Sequence, residues 1–350
     1  MTAVEPKVIL IPESIQLSDV PDKEYFSDKY AAYTSNSRLG LINPKQQGSP
    51  EKYLKGFDDS FNSSFVLGDA IHKLILQPKE YVLIDELNKP SGKMGLVADF
   101  ISKKFTETNN FEEAVKYGIV EVGYYGGKLT ENNIKKVSEA CLEYITNKSK
   151  FVFEDKESIF LDERSRFTVK TCVDNVKNNQ LIQQILTENG LFNTVNLCEE
   201  CVTAKFKVIL GGKEEIIYFK GKVDHYSFID DYLLQVNDLK STGRTVEQFG
   251  EHSFNNYHYY RQMAIYTWLL RNYYAQRYDN ITVNNPKMLL VSTIPPNECG
   301  VYEVSKDDIR KGLAEFKDLI CRVAICEIFG YETIVLEDYV KGNFDSYFLG

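Results

Sequence analysis

The stretch GKVDHYSFIDDYLLQVNDLKST, residues 221–242, decides the fold of this chain and points to its chemistry. Its two halves are rich in Val, Leu, Tyr and Phe, and a polar turn signal separates them, which predicts two antiparallel strands. Residues two apart on a strand point to the same face, so Asp238 and Lys240 share one face. A turn at residues 229–231 would bring Asp224 back towards Asp238, which lies fourteen residues later. The sequence thus predicts two carboxylates and one amine in the same place.

This combination of groups is suited to metal-assisted chemistry. Two carboxylates on neighbouring strands offer hard oxygen ligands of the kind that Mg²⁺ or Mn²⁺ prefers. Such an ion polarises a phosphodiester and lowers the pKa of a bound water. Lys240 would orient or deprotonate that water, or stabilise the charge that develops on the phosphate. A D-x-K pattern on a strand is also typical of an exposed ion pair, so these three residues alone leave both interpretations open.

The flanking segments predict an α/β (α+β) fold with a central mixed sheet. Residues 197–212 (LCEECVTAKFKVILGG) add a third strand and complete an antiparallel meander. Helical patterns follow at residues 254–278 and 305–330, with an apolar strand between them. The sheet would therefore be flanked by helices. We expect an N-terminal arm over residues 1–30 and a single domain over residues 31–350, with a mainly helical insertion at about 90–195.

The composition is that of an ordinary soluble globular protein, with 43% hydrophobic and 26% charged residues. Seven scattered cysteines argue against a disulfide framework, and the CxxC pair Cys198 and Cys201 lies in a predicted strand, where it is expected to be part of the core. No apolar run approaches membrane-spanning length, and we expect a cytoplasmic protein with no membrane partner. The net charge of −9 disfavours tight non-specific DNA binding but does not exclude cleavage.

Four motifs in this order resemble those of one known nuclease class. GKVD followed by NDLKST resembles the core of PD-(D/E)XK nucleases, especially the RecB-like and exonuclease VIII (RecE-like) phage-type exonucleases. Upstream, Gly68-Asp69-Ala70-Ile71-His72 matches the G-x-x-[IVL]-H motif of that branch. Downstream, Gln262 and Tyr266 match its Q-x-x-x-Y motif, and Ser35–Leu39 matches an S-x-S-R-L opening. The resemblance implies a restriction-endonuclease-like core.

The resemblance also implies roles for individual residues. His72, Asp224, Asp238 and the backbone carbonyl of Leu239 would bind Mg²⁺ or Mn²⁺, and Lys240 would be catalytic. Gln262 and Tyr266, which are i, i+4 on one helix face, would support the active site or contact the DNA backbone. Each residue also has an ordinary structural interpretation. A helical histidine is more often a satisfied core or surface residue, and Tyr266 could be a core aromatic with Gln262 as its polar neighbour.

By the same resemblance, the chain would be a metal-dependent DNA nuclease. It would be an exonuclease in phage-type DNA recombination, replication or repair, with DNA as its partner and a single-strand annealing or recombination protein as a second one. If it is phage-encoded, it would act in the host cytoplasm. The alternatives are a non-catalytic nuclease-fold module for DNA binding or assembly, and a structure-specific endonuclease. Strand polarity, the choice between single- and double-stranded or DNA and RNA substrates, and oligomeric state stay open.

Several neighbouring residues are weaker candidates. Contacts to phosphates are one interpretation, beside ordinary surface roles, for Arg38, Ser241, Thr242 and Arg261. Base stacking is one interpretation, beside ordinary packing, for Tyr257, Tyr259 and Tyr260. Glu200 is a candidate for an additional acidic position that some relatives use. Asn237 stands where relatives carry an apolar residue, and strand alternation places it on the face opposite Asp238.

Overall fold

The computed structural model of the protein describes residues 6–57, 63–187, 197–230, 232–332 and 336. Its strands are β1 Lys7–Ser18, β2 Tyr81–Leu83, β3 Glu157–Ile159, β4 Leu197–Leu210, β5 Lys213–Phe228, β6 Leu233–Thr242, β7 Thr282–Val283, β8 Lys287–Ser292 and β9 Cys299–Glu303. Its α-helices are α1 Asp22–Tyr25, α2 Asn36–Gly40, α3 Pro50–Lys55, α4 Ser63–Leu76, α5 Gly92–Thr108, α6 Phe111–Glu121, α7 Glu131–Lys148, α8 Glu163–Asn178, α9 Gln180–Thr187, α10 Tyr259–Ala275 and α11 Lys306–Phe329.

The chain divides into two compact units, which are described separately. The first comprises residues 1–61, 180–290 and 300–350, and the second comprises residues 62–179 and 291–299. Whether the chain forms a single domain with an insertion stays a prediction. The segment expected to form an N-terminal arm contains β1, which pairs antiparallel with β4 at the edge of the main sheet.

The main sheet has seven strands in the order β1-β4-β5-β6-β8-β9, with β7 pairing in parallel with β6. The predicted meander is present, because β4 pairs antiparallel with β5 and β5 pairs antiparallel with β6. Gly211 and Gly212 both have positive φ in the β4–β5 turn, which is the backbone that a two-residue hairpin requires. The mixed α/β architecture with a helix-flanked central sheet is therefore confirmed.

Helices α10 and α11 pack against each other and against the sheet, where they bury the main core. The ring of Phe316 on α11 lies 5.0 Å from that of Phe206 on β4 and 5.6 Å from that of Phe219 on β5. The two helices approach closely at Gly312, where an added Cβ would lie 2.4 Å from the carbonyl oxygen of Tyr260. This packing holds α10, which begins at Tyr259, against the sheet, where it contacts β1 and β6.

The second unit is mainly helical and has its own core. Helices α5, α6 and α7 pack together around Val97, Ile101, Val115 and Cys141, all of which are fully buried. The short strands β2 and β3 pair in parallel. Among the described residues, no helix combines the length and the apolar character needed to cross a membrane.

Candidate active site

The two aspartates predicted to converge lie where β5 and β6 stop pairing. The last backbone pair is His225 with Asn237, and Asp224 and Asp238 are the next residue on each strand. Instead of a regular backbone pair, the amide of Leu239 donates a hydrogen bond to Asp224 Oδ2 at 2.9 Å. Both aspartates are buried, Asp238 completely. The separation of the strands thus leaves room for two carboxylate side chains in the interior of the first unit.

Lys240 joins the two aspartates. Its Nζ lies 2.7 Å from Asp238 Oδ2 and 3.8 Å from Asp224 Oδ2. Burial by itself lowers the pKa of Lys240, but the charges of Asp238 and Asp224 outweigh it and hold that pKa above its ordinary value. The three residues singled out from the sequence therefore lie together in the interior, and Asp238 and Lys240 are not an exposed ion pair.

Gln262 and Tyr266 reach the same place from α10. Gln262 Nε2 donates a hydrogen bond to Asp238 Oδ1 at 2.8 Å. Tyr266 is buried, and its burial, together with the charges of Tyr25, Asp224 and Asp238, holds its pKa well above the ordinary value. One turn of helix separates the two residues, which explains why both face the aspartates.

Gly221 on β5 makes the position of Tyr266 possible. A Cβ at Gly221 would lie 2.5 Å from Cε1 of the Tyr266 ring, closer than carbon atoms tolerate. We therefore expect Gly221→Ala to displace the ring and to lower the free energy of unfolding by about 1–3 kcal/mol, as overpacking of a core does. Urea unfolding followed by circular dichroism measures this change.

Gly243 provides the matched control for that substitution. It directly follows β6, and a Cβ there would meet nothing within 4 Å. Gly243→Ala is expected to leave the unfolding midpoint unchanged within error. Equal unfolding midpoints for Gly221→Ala and Gly243→Ala would show that the position of the Tyr266 ring does not require a glycine at residue 221.

A further acid, Glu199, belongs to this group of side chains. The pairs Cys198 with His225 and Glu200 with Val223 place Glu199 opposite Asp224, and their carboxylate oxygens lie within 4.8 Å of each other. Glu199 has a φ of 59°, a left-handed conformation that is uncommon for a residue other than glycine.

The additional acid near Asp224 is thus Glu199, and the expectation for Glu200 is wrong. Glu200 accepts a hydrogen bond from the Tyr226 hydroxyl instead. The sequence signal that could have identified Glu199 is the glycine pair at residues 211–212. A two-residue turn there sets the register of β4 and β5, and this register places residue 199 opposite residue 224.

Lys222 balances part of this negative charge. Its Nζ lies 3.4 Å from Glu199 Oε2 and also pairs with Asp22. Burial lowers the pKa of Lys222, but its hydrogen bond to Asp22 and the charge of Glu199 raise that pKa above its ordinary value overall. Three carboxylates therefore face two ammonium groups, which leaves a net negative site of oxygen donors. Donors of this kind fit Mg²⁺ or Mn²⁺ and do not fit a soft metal.

Three of the remaining candidates, Arg261, Tyr260 and Asn237, are buried. Arg261 is fully buried, and its guanidinium group contacts Glu315, Asn36 and Gln46, so it is not a phosphate ligand. Tyr260 is also buried, which excludes base stacking. Asn237 faces away from Asp238, as predicted from strand alternation, and its Nδ2 lies 2.9 Å from His225 Nδ1.

His72 lies on α4 in the second unit, where it is half-buried next to the fully buried Ile71. Its role as a metal ligand stays a prediction, as does that of the Leu239 carbonyl. Thr242 accepts a hydrogen bond from the Arg244 amide, and Arg38 donates one to the carbonyl of Ala31.

Comparison with known proteins identifies the class. Residues 101–328 match the family described as "PDDEXK-like domain of unknown function (DUF3799)". Because the match covers more than half of the chain, the protein belongs to this family, and with it to the PD-(D/E)XK nuclease superfamily. The matched region contains Asp224, Asp238, Lys240, Gln262 and Tyr266 and begins after His72.

No curated protein matches the sequence. Among solved structures, the chain is similar to the crystal structure of a "Putative exonuclease" from Eubacterium rectale, with a TM-score of 0.44 and 10% sequence identity. That comparison covers 90% of this chain and 89% of the other.

Proposed function

We propose that this protein is a Mg²⁺- or Mn²⁺-dependent deoxyribonuclease that hydrolyses phosphodiester bonds as an exonuclease. The observation that carries the proposal is the meeting of Asp224, Asp238 and Lys240 where β5 and β6 separate. Membership of the PDDEXK-like family supports the same chemistry. A role in phage-type DNA recombination, replication or repair, and a single-strand annealing or recombination protein as partner, rest on the motif resemblance alone.

Asp224 and Asp238 would hold the metal ion, with Glu199 as a further oxygen donor and His72 as a ligand from the motif upstream. The Leu239 carbonyl is a reasonable additional ligand, because the amide of the same residue points at Asp224 on β5. In an antiparallel strand, the N–H and C=O of one residue point to the same neighbouring strand. When bound, the ion supplies Lewis-acid polarisation of the phosphate and a water of lowered pKa.

The chain's own residues position the reactants. Lys240 carries its ammonium group beside both aspartates, where it would hold the attacking water or stabilise charge on the phosphate. Gln262 fixes Asp238 through Oδ1, so that the carboxylate keeps one orientation. Tyr266 would help to exclude bulk solvent from the side of α10, since its ring is buried and packs on Gly221. Lys240 is thus the catalytic residue of the proposal, and Gln262 and Tyr266 are positioning residues.

Metal dependence is the first test of the proposed function. The purified protein is expected to degrade linear DNA in Mg²⁺ or Mn²⁺ and to lose this activity in EDTA. Calorimetric titration is expected to show a Mn²⁺ site with a dissociation constant of millimolar or below, about −4 kcal/mol or stronger. A protein that neither cleaves DNA nor binds Mn²⁺ would instead be a non-catalytic nuclease-fold module.

The form of the DNA separates the two kinds of nuclease. An exonuclease needs a strand end, so linear DNA is expected to be degraded while a covalently closed circle of the same sequence persists. Cleavage of the closed circle at a rate similar to that of the linear form would identify an endonuclease, which uses the same site chemistry.

A further inference from the structure

A row of aromatic rings begins beside Lys240 and ends in solvent. Phe249 and Tyr259 stack with ring centroids 5.8 Å apart and planes 8° apart. The centroid of the Tyr257 ring lies 5.7 Å from that of Tyr259, and the two ring planes are tilted by 41°. Phe249 is buried, Tyr259 is partly buried, and Tyr257 is 62% exposed. Lys240 Nζ lies 5.5 Å from the centroid of Tyr259, so the row connects the cation of the site to an open surface.

The backbone that carries the two tyrosines is held firmly. His258, between them, has φ 55° and ψ 39°, a left-handed conformation that a non-glycine residue keeps only where its surroundings enforce it. Its buried Nδ1 lies 2.7 Å from Glu315 Oε1. The Tyr257 amide donates a hydrogen bond to the carbonyl of Ser253 at 3.0 Å. The Tyr257 ring is therefore presented on a fixed support and not on a pliable loop.

A flat ring with one accessible face binds a nucleobase by stacking, with little dependence on sequence. A single exposed tyrosine is common on protein surfaces and by itself indicates nothing. Here, however, the exposed ring adjoins the stacked pair of Phe249 and Tyr259 and rests on an enforced backbone. The Tyr259 ring that it contacts lies 5.5 Å from Nζ of Lys240, the residue proposed to act on the phosphate or the attacking water. A base inside a duplex already has neighbours on both faces, so an unpaired base is the partner that such a ring fits.

We propose that Tyr257, backed by Tyr259 and Phe249, stacks on an unpaired nucleobase of the strand whose phosphate lies at Lys240. This inference rests on the proposed function and narrows its substrate to a strand that is single-stranded next to the cleaved bond. Tyr257 is a substrate-binding residue in this arrangement, outside the metal site, and its ring acts through its face and not through its hydroxyl group.

The test measures binding of a single-stranded oligonucleotide that carries 2-aminopurine, in Ca²⁺ in place of Mg²⁺. Stacking quenches the fluorescence of this base. Tyr257→Ala is expected to weaken binding on the order of tenfold and to abolish the quenching, which is the effect of removing one base–aromatic contact. Tyr257→Phe keeps the ring and is expected to stay within about twofold of the wild type.

Tyr232→Ala is the matched control. Tyr232 is 47% exposed and precedes Leu233 at the opposite end of β6 from Lys240, so its loss should change neither binding nor quenching. Equal binding and quenching in the wild type and Tyr257→Ala would overturn the inference and leave the proposed function intact. Equal losses of binding and quenching in Tyr257→Ala and Tyr257→Phe would also overturn it. So would an equal loss in Tyr257→Ala when the 2-aminopurine is paired within a duplex. A wild-type protein that neither binds nor cleaves any of these DNAs would overturn the proposed function itself.

Discussion

Asp238→Asn is expected to lower the rate of DNA cleavage by about a thousandfold or more, because it removes one of the negative charges proposed to hold the metal ion. The substitution preserves the size of the side chain and an oxygen that can accept the hydrogen bond from Gln262 Nε2. Loss of activity would therefore reflect charge and not shape. Calorimetric titration of the same variant is expected to show much weaker Mn²⁺ binding than that of the wild type.

Lys240→Met separates catalysis from metal binding. Cleavage is expected to fall by roughly 10²–10³-fold, which is the usual cost of removing a group that stabilises developing charge. Mn²⁺ binding is expected to persist or to become tighter, because the ammonium group that lies 2.7 Å from Asp238 no longer repels the ion. A Lys240→Met protein with wild-type cleavage would remove Lys240 from the mechanism.

An ion pair elsewhere on the same sheet supplies the controls. Lys207 and Glu214 form a 2.9 Å pair on β4 and β5, in which Glu214 is exposed and Lys207 is partly exposed. Lys207→Met and Glu214→Gln make the same chemical changes as the two active-site variants, and both are expected to cleave at the wild-type rate. Parallel losses in the control pair would mean that the active-site variants act through general damage to the sheet.

The convergence of Asp224, Asp238 and Lys240 could be predicted because it depends on local rules. Strand alternation puts residues 238 and 240 on one face, and a short turn folds β5 onto β6. The spacing of Gln262 and Tyr266 on a helix obeys a rule of the same kind. In each case, the relevant contacts lie within a few dozen residues of each other in the chain.

The errors have long-range or backbone causes. Arg261 looked accessible beside a nuclease motif, but its partner Glu315 lies 54 residues away on α11, and helix packing buries both. The sequence pointed to Glu200 and did not single out Glu199, whose left-handed backbone interrupts the regular pairing of β4. Neither the distant partner nor the unusual backbone conformation has a clear local sequence signature.

Glu315, which lies outside the active site, is expected to contribute strongly to the stability of the protein. Its buried carboxylate accepts hydrogen bonds from Arg261 NH1 at 2.9 Å and from the Tyr260 hydroxyl at 2.8 Å, and it lies 2.7 Å from His258 Nδ1. Glu315→Ala leaves the Arg261 guanidinium buried without a counter-ion. Breaking a buried ion pair in this way is expected to lower the free energy of unfolding by about 3–5 kcal/mol, measured by urea unfolding.

Asp307→Ala on the same helix is the control. Asp307 pairs with Arg310 in solvent, so its loss is expected to cost well under about 1 kcal/mol. Equal unfolding midpoints for Glu315→Ala and the wild type would show that the buried carboxylate makes no net contribution to stability.

The pH dependence of stability tests the same carboxylate independently. Burial raises the pKa of Glu315, but hydrogen bonds from His258 and Tyr260 and the charges of His258 and Arg261 outweigh it and lower this pKa to about 2. A carboxylate with a depressed folded-state pKa stabilises the protein above its unfolded-state pKa, about 4.3. The contribution is lost as the pH falls from there towards 2. The stability difference between the wild type and Glu315→Gln is therefore expected to be full at neutral pH and to shrink across this acid range. A stability difference between these two proteins that stayed constant down to pH 2 would mean that Glu315 acts through its shape alone. In this structure, its charge holds the start of α10 and, with it, Gln262 and Tyr266.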